Sequence, residues 1–357
     1  MIQLSEMLPP RPEPWWPLLP QCGVESVVAL LNGAEQDQRM FASVGRKVED
    51  LAADGDTPPW SLEAIRRDQA LFGREGFRVV AIEDTAPMEK TRLGIPGRDE
   101  EIDNVITQVR AMGELGIPTL CYNWMALASW GRTDPAVPGR GGALVSGYDR
   151  AVAQARPPLV EPGEVSEEQL WSALAYFLAA VVPVAEESGV RLGLHPDDPP
   201  QGWDRNLPRI MSSVAAYRRM LDLYPSPHNA ITLCQGNFAL MPEVVTGEID
   251  LPSLISDLGA ESIAFVHFRD VRGTVDDFAE TFHDEGQTDM PECMRSYAAI
   301  DFSGPMRPDH VPTMAGESND RPGYEVLGRL FAIGYIRGLE QAVFGHPAST
   351  DRAGHRH

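Results

Sequence analysis

The chain has 357 residues, 43% of them hydrophobic, enough to bury a sizeable core in one large α/β domain or two smaller ones. Its formal net charge is −22, from 52 acidic and 30 basic residues. A surface of that sign repels phosphate backbones and anionic lipid, which argues against nucleic acid or a membrane surface as partner, and any anionic substrate would need a local cluster of arginine or a metal.

At the N-terminus, Met1 to Met7 carry no basic region followed by an apolar run, so no signal peptide is expected. No window is read as approaching the ~20 apolar residues of a membrane span. Cys22, Cys121, Cys234 and Cys293 are far apart, with no CxxC pair. A reduced, cytoplasmic setting fits them better than a disulfide framework.

Short apolar runs alternate with helical patterns, which points to βα units and a parallel sheet. Strands are expected over residues 24–31, 77–82, 118–122, 190–194, 230–233 and 263–268, with two further candidates at 278–283 and 305–307. Eight strands are what a closed (β/α)8 barrel needs. Between them, Ile102, Val105, Ile106, Val109, Met112 and Leu115 recur at helical spacing and Gly116 ends the pattern. Ser166 with Gln169 reads as a capping box ahead of Leu170, Leu174, Phe177, Leu178 and Val181, until Pro183 bends or interrupts the helix. A third helix follows Pro208 with Ile210, Val214, Tyr217 and Leu221 on one face, and a fourth runs from about Tyr324 to Phe344. The reading is a single barrel domain over 1–347 with a flexible tail at 348–357. Two long loop insertions, at about 33–60 and 131–162, follow strand ends and are expected to be lids or binding loops.

The chemistry collects where strands stop. Leu192, Gly193 and Leu194 run into His195, Pro196, Asp197, Asp198, Pro199 and Pro200, a proline-locked turn that holds its polar side chains in place. The same pattern ends other runs at Cys234, at His267 and Arg269, and at Asp309 and His310. His195, Cys234, His267 and Asp309 therefore form a candidate metal set, because all strand ends of a parallel barrel meet on one face. Singly, each has a plainer reading as a hydrogen-bonded core histidine or a small buried thiol; together they favour a shared ion. Asp197 and Asp198 either bind substrate hydroxyls or cap the turn. Arg269 and Arg307 either grip a substrate acid group or pair with Asp197, Asp198 or Asp270. The segment 121–134 mixes aromatics with Asn123, Arg132 and Asp134, a composition suited to a sugar-like ligand or simply to a packed loop. His283 and Glu285 lie in a polar loop that leads to Asp289, a candidate N-cap. Tyr324 is a possible phenolic acid/base or an ordinary helix-start aromatic.

These residues carry a family resemblance. The run from His195 to Pro200, Cys234 with Gly236, His267 to Arg269, Phe278 to Met290, Pro305 to His310, and Gly323 with Tyr324 resembles mannonate dehydratase. So do Cys121, Tyr122 and Asn123 with Trp130, Arg132 and Asp134, and the segments Leu327 to Leu330 and Ile336 to Leu339; the similarity covers roughly 60–344. The resemblance implies a xylose-isomerase-like (β/α)8 TIM barrel that converts D-mannonate to 2-keto-3-deoxygluconate and water with a divalent ion, usually manganese. It implies His195, Cys234, His267 and Asp309 as ligands and His310 and Tyr324, beside Asp309, as acid/base groups. Asn123, Arg132, Asp197, Asp198, Arg269, Arg307 and His283 are the candidate substrate contacts. Because a thiolate and two imidazoles also suit zinc or iron, Fe2+, Co2+ and Zn2+ stay open beside Mn2+. The expected partner is a small sugar acid, and the family precedent implies a homo-oligomer. Two positions depart from the family pattern: Met88 and Ala279 stand where histidines are usual. They keep open a divergent lyase or isomerase acting on another polyhydroxy acid, and a catalytically silent binding relative.

Overall fold

Eight strands close into one parallel barrel: β1 (Gln3–Leu8), β2 (Ser26–Ala29), β3 (Arg78–Ile82), β4 (Thr119–Asn123), β5 (Arg191–His195), β6 (Asn229–Cys234), β7 (Ile263–Phe268) and β8 (Pro305–Pro308). Each pairs in parallel with its sequence neighbour, and β8 closes on β1 through Gln3 with Pro305 and Leu4 with Met306. The computed structural model describes residues 2–31 and 57–345. Most of the expected insertion at 33–60 and all of the tail at 348–357 lie outside the described residues.

The sequence patterns explain most of the framework. Side-chain oxygens cap the helices that cross between strands: Ser61, Ser166, Ser213, Asp250 and Asp289 each accept a backbone N–H from the first helical turn. Glycines in the left-handed region end the connection at Gly116 and the helix at Gly189.

Three expectations need correction. The eighth barrel strand is Gln3–Leu8, not 278–283. Its polar residues hid it, yet Ser5 and Glu6 are buried with partners: Ser5 Oγ donates to the Met306 carbonyl at 3.1 Å, and Arg329 Nη1 donates to Glu6 at 2.6 Å. Residues Asp277–Glu280 instead join an antiparallel sheet of order Val271–Thr274, Asp277–Glu280, Leu144–Asp149 and Asp134–Pro138. The segment 131–162, expected to be a loop, thus supplies half of a small sheet; its prolines and glycines obscured two short strands.

The third correction concerns the helix Glu167–Ser188. It runs through Pro183 without a break, and its 22 residues, with an 18-residue window of mean hydropathy 1.3, are long and apolar enough to cross a membrane. Half of that stretch is buried here, with Leu174, Phe177, Val181 and Ala185 packed in the barrel's core cluster. Burial on this scale outweighs the roughly 3 kcal/mol local penalty of an interior proline.

Inside the barrel the fit is tight. A Cβ on Gly193 would lie 2.6 Å from Thr232 Oγ1, whose hydroxyl sits 2.9 Å from the Gly193 carbonyl and 3.2 Å from Cys121 Sγ. Gly193→Ala is expected to cost about 1–3 kcal/mol by overpacking, read as a lower urea midpoint with an unchanged m-value.

Candidate active site

Strand register brings the site together. Asn123 on β4 lies opposite His195 on β5, Cys234 on β6 opposite His267 on β7, and His267 opposite Arg307 on β8. Residues in lateral register stand at one height, so each of the two groups forms a row at the carboxyl ends of the strands, the second offset from the first because Ile231 lies opposite Leu194.

His195, Cys234 and His267 offer donor atoms that all lie within 4.8 Å of one another. His195 Nε2 is 3.2 Å from His267 Nδ1, and Asp309 Oδ2 is 3.7 Å from His267 Nδ1 and 3.9 Å from Cys234 Sγ. Atoms that each ligate one ion at about 2.0–2.3 Å would stand about 3–4 Å apart. The outer ring atoms have partners of their own. His195 Nδ1 is 2.7 Å from the Pro196 carbonyl, and His267 Nε2 is 3.3 Å from Glu83 Oε1. Protons placed on those outer nitrogens leave two lone pairs facing each other across 3.2 Å, which suits a cation between them. The donor set therefore fits a divalent ion.

Glu83, Cys121 and His267 also approach one another within 4.8 Å. Glu83 is already gripped by Arg307 at 2.8 and 2.7 Å, so a cation there would have to displace a guanidinium. This second cluster is accordingly the poorer cation site.

Arg307 links both carboxylates near the centre. Besides Glu83 it donates to Asp309 Oδ1 at 2.8 Å, while the Tyr324 hydroxyl lies 3.2 Å from the same oxygen. Burial alone would raise Glu83, but Arg307 and His267 overcome it and hold the carboxyl down at about 2. Burial likewise opposes ionisation of Asp309, yet His310, Arg307 and His267 keep it well below the usual carboxylate range. A carboxyl lowered by folding contributes stability above its ordinary value, and that stability disappears as pH falls toward the folded value. For Glu83 the window runs from the ordinary 4.5 down to about 2, a loss on the order of 3 kcal/mol. Glu83→Gln is expected to flatten that part of the acid limb, measured as urea midpoints between about pH 5 and pH 2 with chelator present.

His310 sits beside the centre with a left-handed backbone, φ 46°. That conformation is costly for a side chain other than glycine and persists where the surroundings dictate it. Its Nε2 is 3.2 Å from Arg132 Nη2 and 3.7 Å from both Asp198 Oδ2 and Asp309 Oδ2. Burial holds its pKa down to about 4, against the pull of Asp309 and Glu280. Burial, then Asp309, pushes the Tyr324 phenol well above its ordinary value.

The structure settles several contacts left open by the sequence. Arg269 pairs with Glu280 and Asp198, Arg307 with Glu83 and Asp309, and Arg132 with Asp198 and Glu280. All three guanidiniums thus face internal carboxylates. Asp197 accepts the Met211 N–H at 2.8 Å and lies 3.5 Å from Arg209, so it locks the turn after β5. Asn123 Oδ1 accepts the Met125 N–H at 3.1 Å. Tyr122 and Trp124 pack on Phe177 in the core, while Trp130 presents its edge to His195. A cavity of about 290 Å³ opens beside Trp130 and Asp198, with Tyr148, Gln201 and Arg209 in its walls. His283 is wholly buried, neither ring nitrogen makes a hydrogen bond, and burial holds its pKa down to about 4. Asp289 is an N-cap, bonded to Glu292 N. Met88 is buried in the main core, and Ala279 pairs with Gly147 and Arg272 in the small sheet.

Sequence reasoning missed Glu83 and Glu280. Glu83 follows β3 in the same apolar-run-then-polar pattern as the other strand ends, so the signal was there to read. Glu280 was hidden inside a segment taken for a barrel strand.

Solved structures of the same shape give the class first. The xylose isomerase domain protein from Planctomyces limnophilus superimposes with a TM-score of 0.57 at 11% identity, covering 97% of this chain and 99% of its own, which shows a shared xylose-isomerase-like barrel. The crystal structure of mannonate dehydratase from Streptococcus suis serotype 2 matches far better, with a TM-score of 0.83 and 29% identity over 98% of this chain and 100% of that one. Mannonate dehydratase of Streptococcus equi subsp. zooepidemicus is 33% identical over 309 residues, 79% of this chain and 83% of its own length. The family model described as D-mannonate dehydratase (UxuA) matches residues 41–162 and 153–349. The chain belongs to the mannonate dehydratase family of hydro-lyases.

Proposed function

We propose that this enzyme removes water from D-mannonate to give 2-keto-3-deoxygluconate, at a centre formed by His195, Cys234, His267 and Asp309. The observation that carries this reading is the approach of those four donors, with His310 and Tyr324 both close to Asp309. A divalent cation held there would stabilise negative charge developing on the substrate's carboxylate and neighbouring hydroxyl. Manganese comes first by family resemblance, and iron, cobalt and zinc suit the thiolate and imidazoles.

The chain's own groups handle the protons. An imidazole of ordinary pKa is neutral at pH 7 and a phenol is protonated. His310 takes the proton from C2, and Tyr324 gives one to the departing C3 hydroxyl, so that one water leaves and the keto acid remains after tautomerisation. Arg132 Nη2 stands 3.2 Å from His310 Nε2 and holds the ring in place. Trp130 flanks the His195 ring edge-on. Asn123 and the open ring nitrogens of His283 are assigned to substrate hydroxyls. Arg132, Arg269 and Arg307 shape the pocket through their carboxylates, and an ion held at the centre would supply the positive charge that the substrate acid group needs. Asp197 and Asp198 hold the turn that carries His195.

The free thiols at Cys22, Cys121, Cys234 and Cys293 support a cytoplasmic setting. The family precedent adds a homo-oligomer, which sedimentation measures. Ala279, beside Glu280 where the family pattern has histidine, favours a second reading in which another aldonic acid is the substrate. A product assay over a panel of aldonic acids with manganese supplied decides: keto acid from mannonate supports the main reading, turnover of a different acid alone supports the second, and no turnover by ion-loaded protein overturns both.

A further inference from the structure

A closed ring of four buried charges lies beside the ion centre. Arg132 Nη1 and Nη2 donate to Asp198 at 2.8 and 3.1 Å, and Nη2 also reaches Glu280 Oε1 at 2.7 Å. Arg269 grips the same Glu280 through Nε at 2.8 Å and Nη2 at 2.6 Å, and its Nη1 returns to Asp198 at 3.2 Å. Side-chain exposure is at most 2% for every member. The four come from separate places: the turn after β4, the turn after β5, the residue following β7, and the small antiparallel sheet.

Contacts lead out of the ring to Asn237, whose Oδ1 accepts from Arg269 Nη1 at 3.1 Å, and to two groups of the proposed centre. Arg269 Nη1 donates to Cys234 Sγ at 3.3 Å, and Arg132 Nη2 meets His310 Nε2 at 3.2 Å. One is an ion ligand and the other a proton carrier in the function proposed above, on which this inference rests. We propose that the ring fixes the thiolate of Cys234 and the imidazole of His310 together, and that Glu280 is a positioning residue for both.

Stability is a weak reason to keep four charges in a barrel, since buried ion pairs replaced by apolar groups are often no worse. Direction is a better one. A guanidinium is planar, so pinning Arg269 Nε and Nη2 on Glu280 fixes Nη1 among Asn237 Oδ1 at 3.1 Å, Asp198 at 3.2 Å and the sulfur at 3.3 Å. The backbone makes room for this arrangement: a Cβ on Gly236 would lie 2.8 Å from Arg269 Nε. Arg132 is held in the same way, between Asp198 and Glu280, which places Nη2 3.2 Å from His310 Nε2. Glu280 is the corner where both guanidiniums meet, and it hangs from the small sheet rather than from the barrel wall.

The test uses the full chain loaded with Co2+, whose thiolate charge-transfer absorption reports the sulfur–metal bond; Cys234→Ser sets the baseline. Glu280→Gln is expected to weaken the band, raise the Kd for Co2+ about 10- to 100-fold, and lower kcat on mannonate more than it raises KM. Arg269→Lys should lose the band. Arg132→Lys should keep band and ion affinity while kcat falls, because its outward contact is with His310. A Glu280→Gln protein with the parent's band and affinity overturns the proposal. So does a series in which band, affinity and turnover all decline in proportion to the urea midpoint, since that pattern marks a purely structural ring. A parent protein that binds Co2+ without a thiolate band overturns the ion centre itself, and the proposal with it.

Discussion

His310→Asn should bind its ion and its substrate almost as the parent does and turn over about 10²- to 10⁴-fold more slowly, the range for losing one positioned proton carrier. The expectation follows from where His310 stands. Its backbone is held at φ 46° by the path from Asp309 to Gly323, with the Val311 N–H bonded to the Gly323 carbonyl at 2.8 Å. Its ring lies 5.5 Å from that of Tyr324 and its Nε2 is 3.7 Å from Asp309 Oδ2. Asparagine tolerates a left-handed backbone, so the substitution removes the imidazole without straining the turn. Tyr324→Phe should fall in the same range. The double variant should fall less than the product of the two losses, because groups that serve one proton-transfer sequence are not additive. Steady-state kinetics with metal content measured alongside checks all three. A single variant that retains parental kcat removes that residue from the chemistry.

Cys234→Ser should show the other large effect. Replacing a soft thiolate by a hydroxyl that stays protonated at neutral pH removes a charged donor from the centre of the cluster, 3.9 Å from Asp309 Oδ2. Losing an outer partner of a ligand commonly costs 10- to 100-fold in metal affinity, so losing the ligand itself is expected to cost more than about 100-fold. Turnover at limiting metal should vanish and return in part at saturating metal. The sulfur lies at the end of β6, where the backbone pairs with β7 through Cys234 and His267, and serine can keep that pairing. Urea midpoints in chelator should therefore stay close to the parent's, while the stabilisation gained on adding metal shrinks. Metal titration by calorimetry measures the first effect, and unfolding with and without metal the second.

The sequence yields its strand ends readily and its first strand poorly, for one reason. A buried parallel strand reads as an apolar run when both faces meet hydrocarbon. β5, β6 and β7 do so until their last residues, where a polar side chain marks the mouth of the barrel. In β1 the buried residues include Ser5 and Glu6, on opposite faces of the strand and satisfied by Met306 and Arg329 more than 300 positions away, and no local pattern announces such partners. Glu280 stayed hidden for a related reason. Its two arginines lie 148 and 11 residues away, and the antiparallel strand carrying it pairs with Leu144–Asp149, a segment rich in turn formers on one side. The arginines themselves were visible as candidates, but whether they face a substrate or an internal acid depends on distances that only a fold supplies.

Strand register has a consequence for how the enzyme is assembled. The proposed donors belong to β5, β6, β7 and the turn after β8, and two of them, Cys234 and His267, are lateral neighbours. Slipping any of these strands by a single residue would turn its donor to the outer surface. An ion held by the proposed donors would therefore discriminate against misaligned versions of the second half of the barrel, and would act as a proofreader of chain alignment before any chemistry.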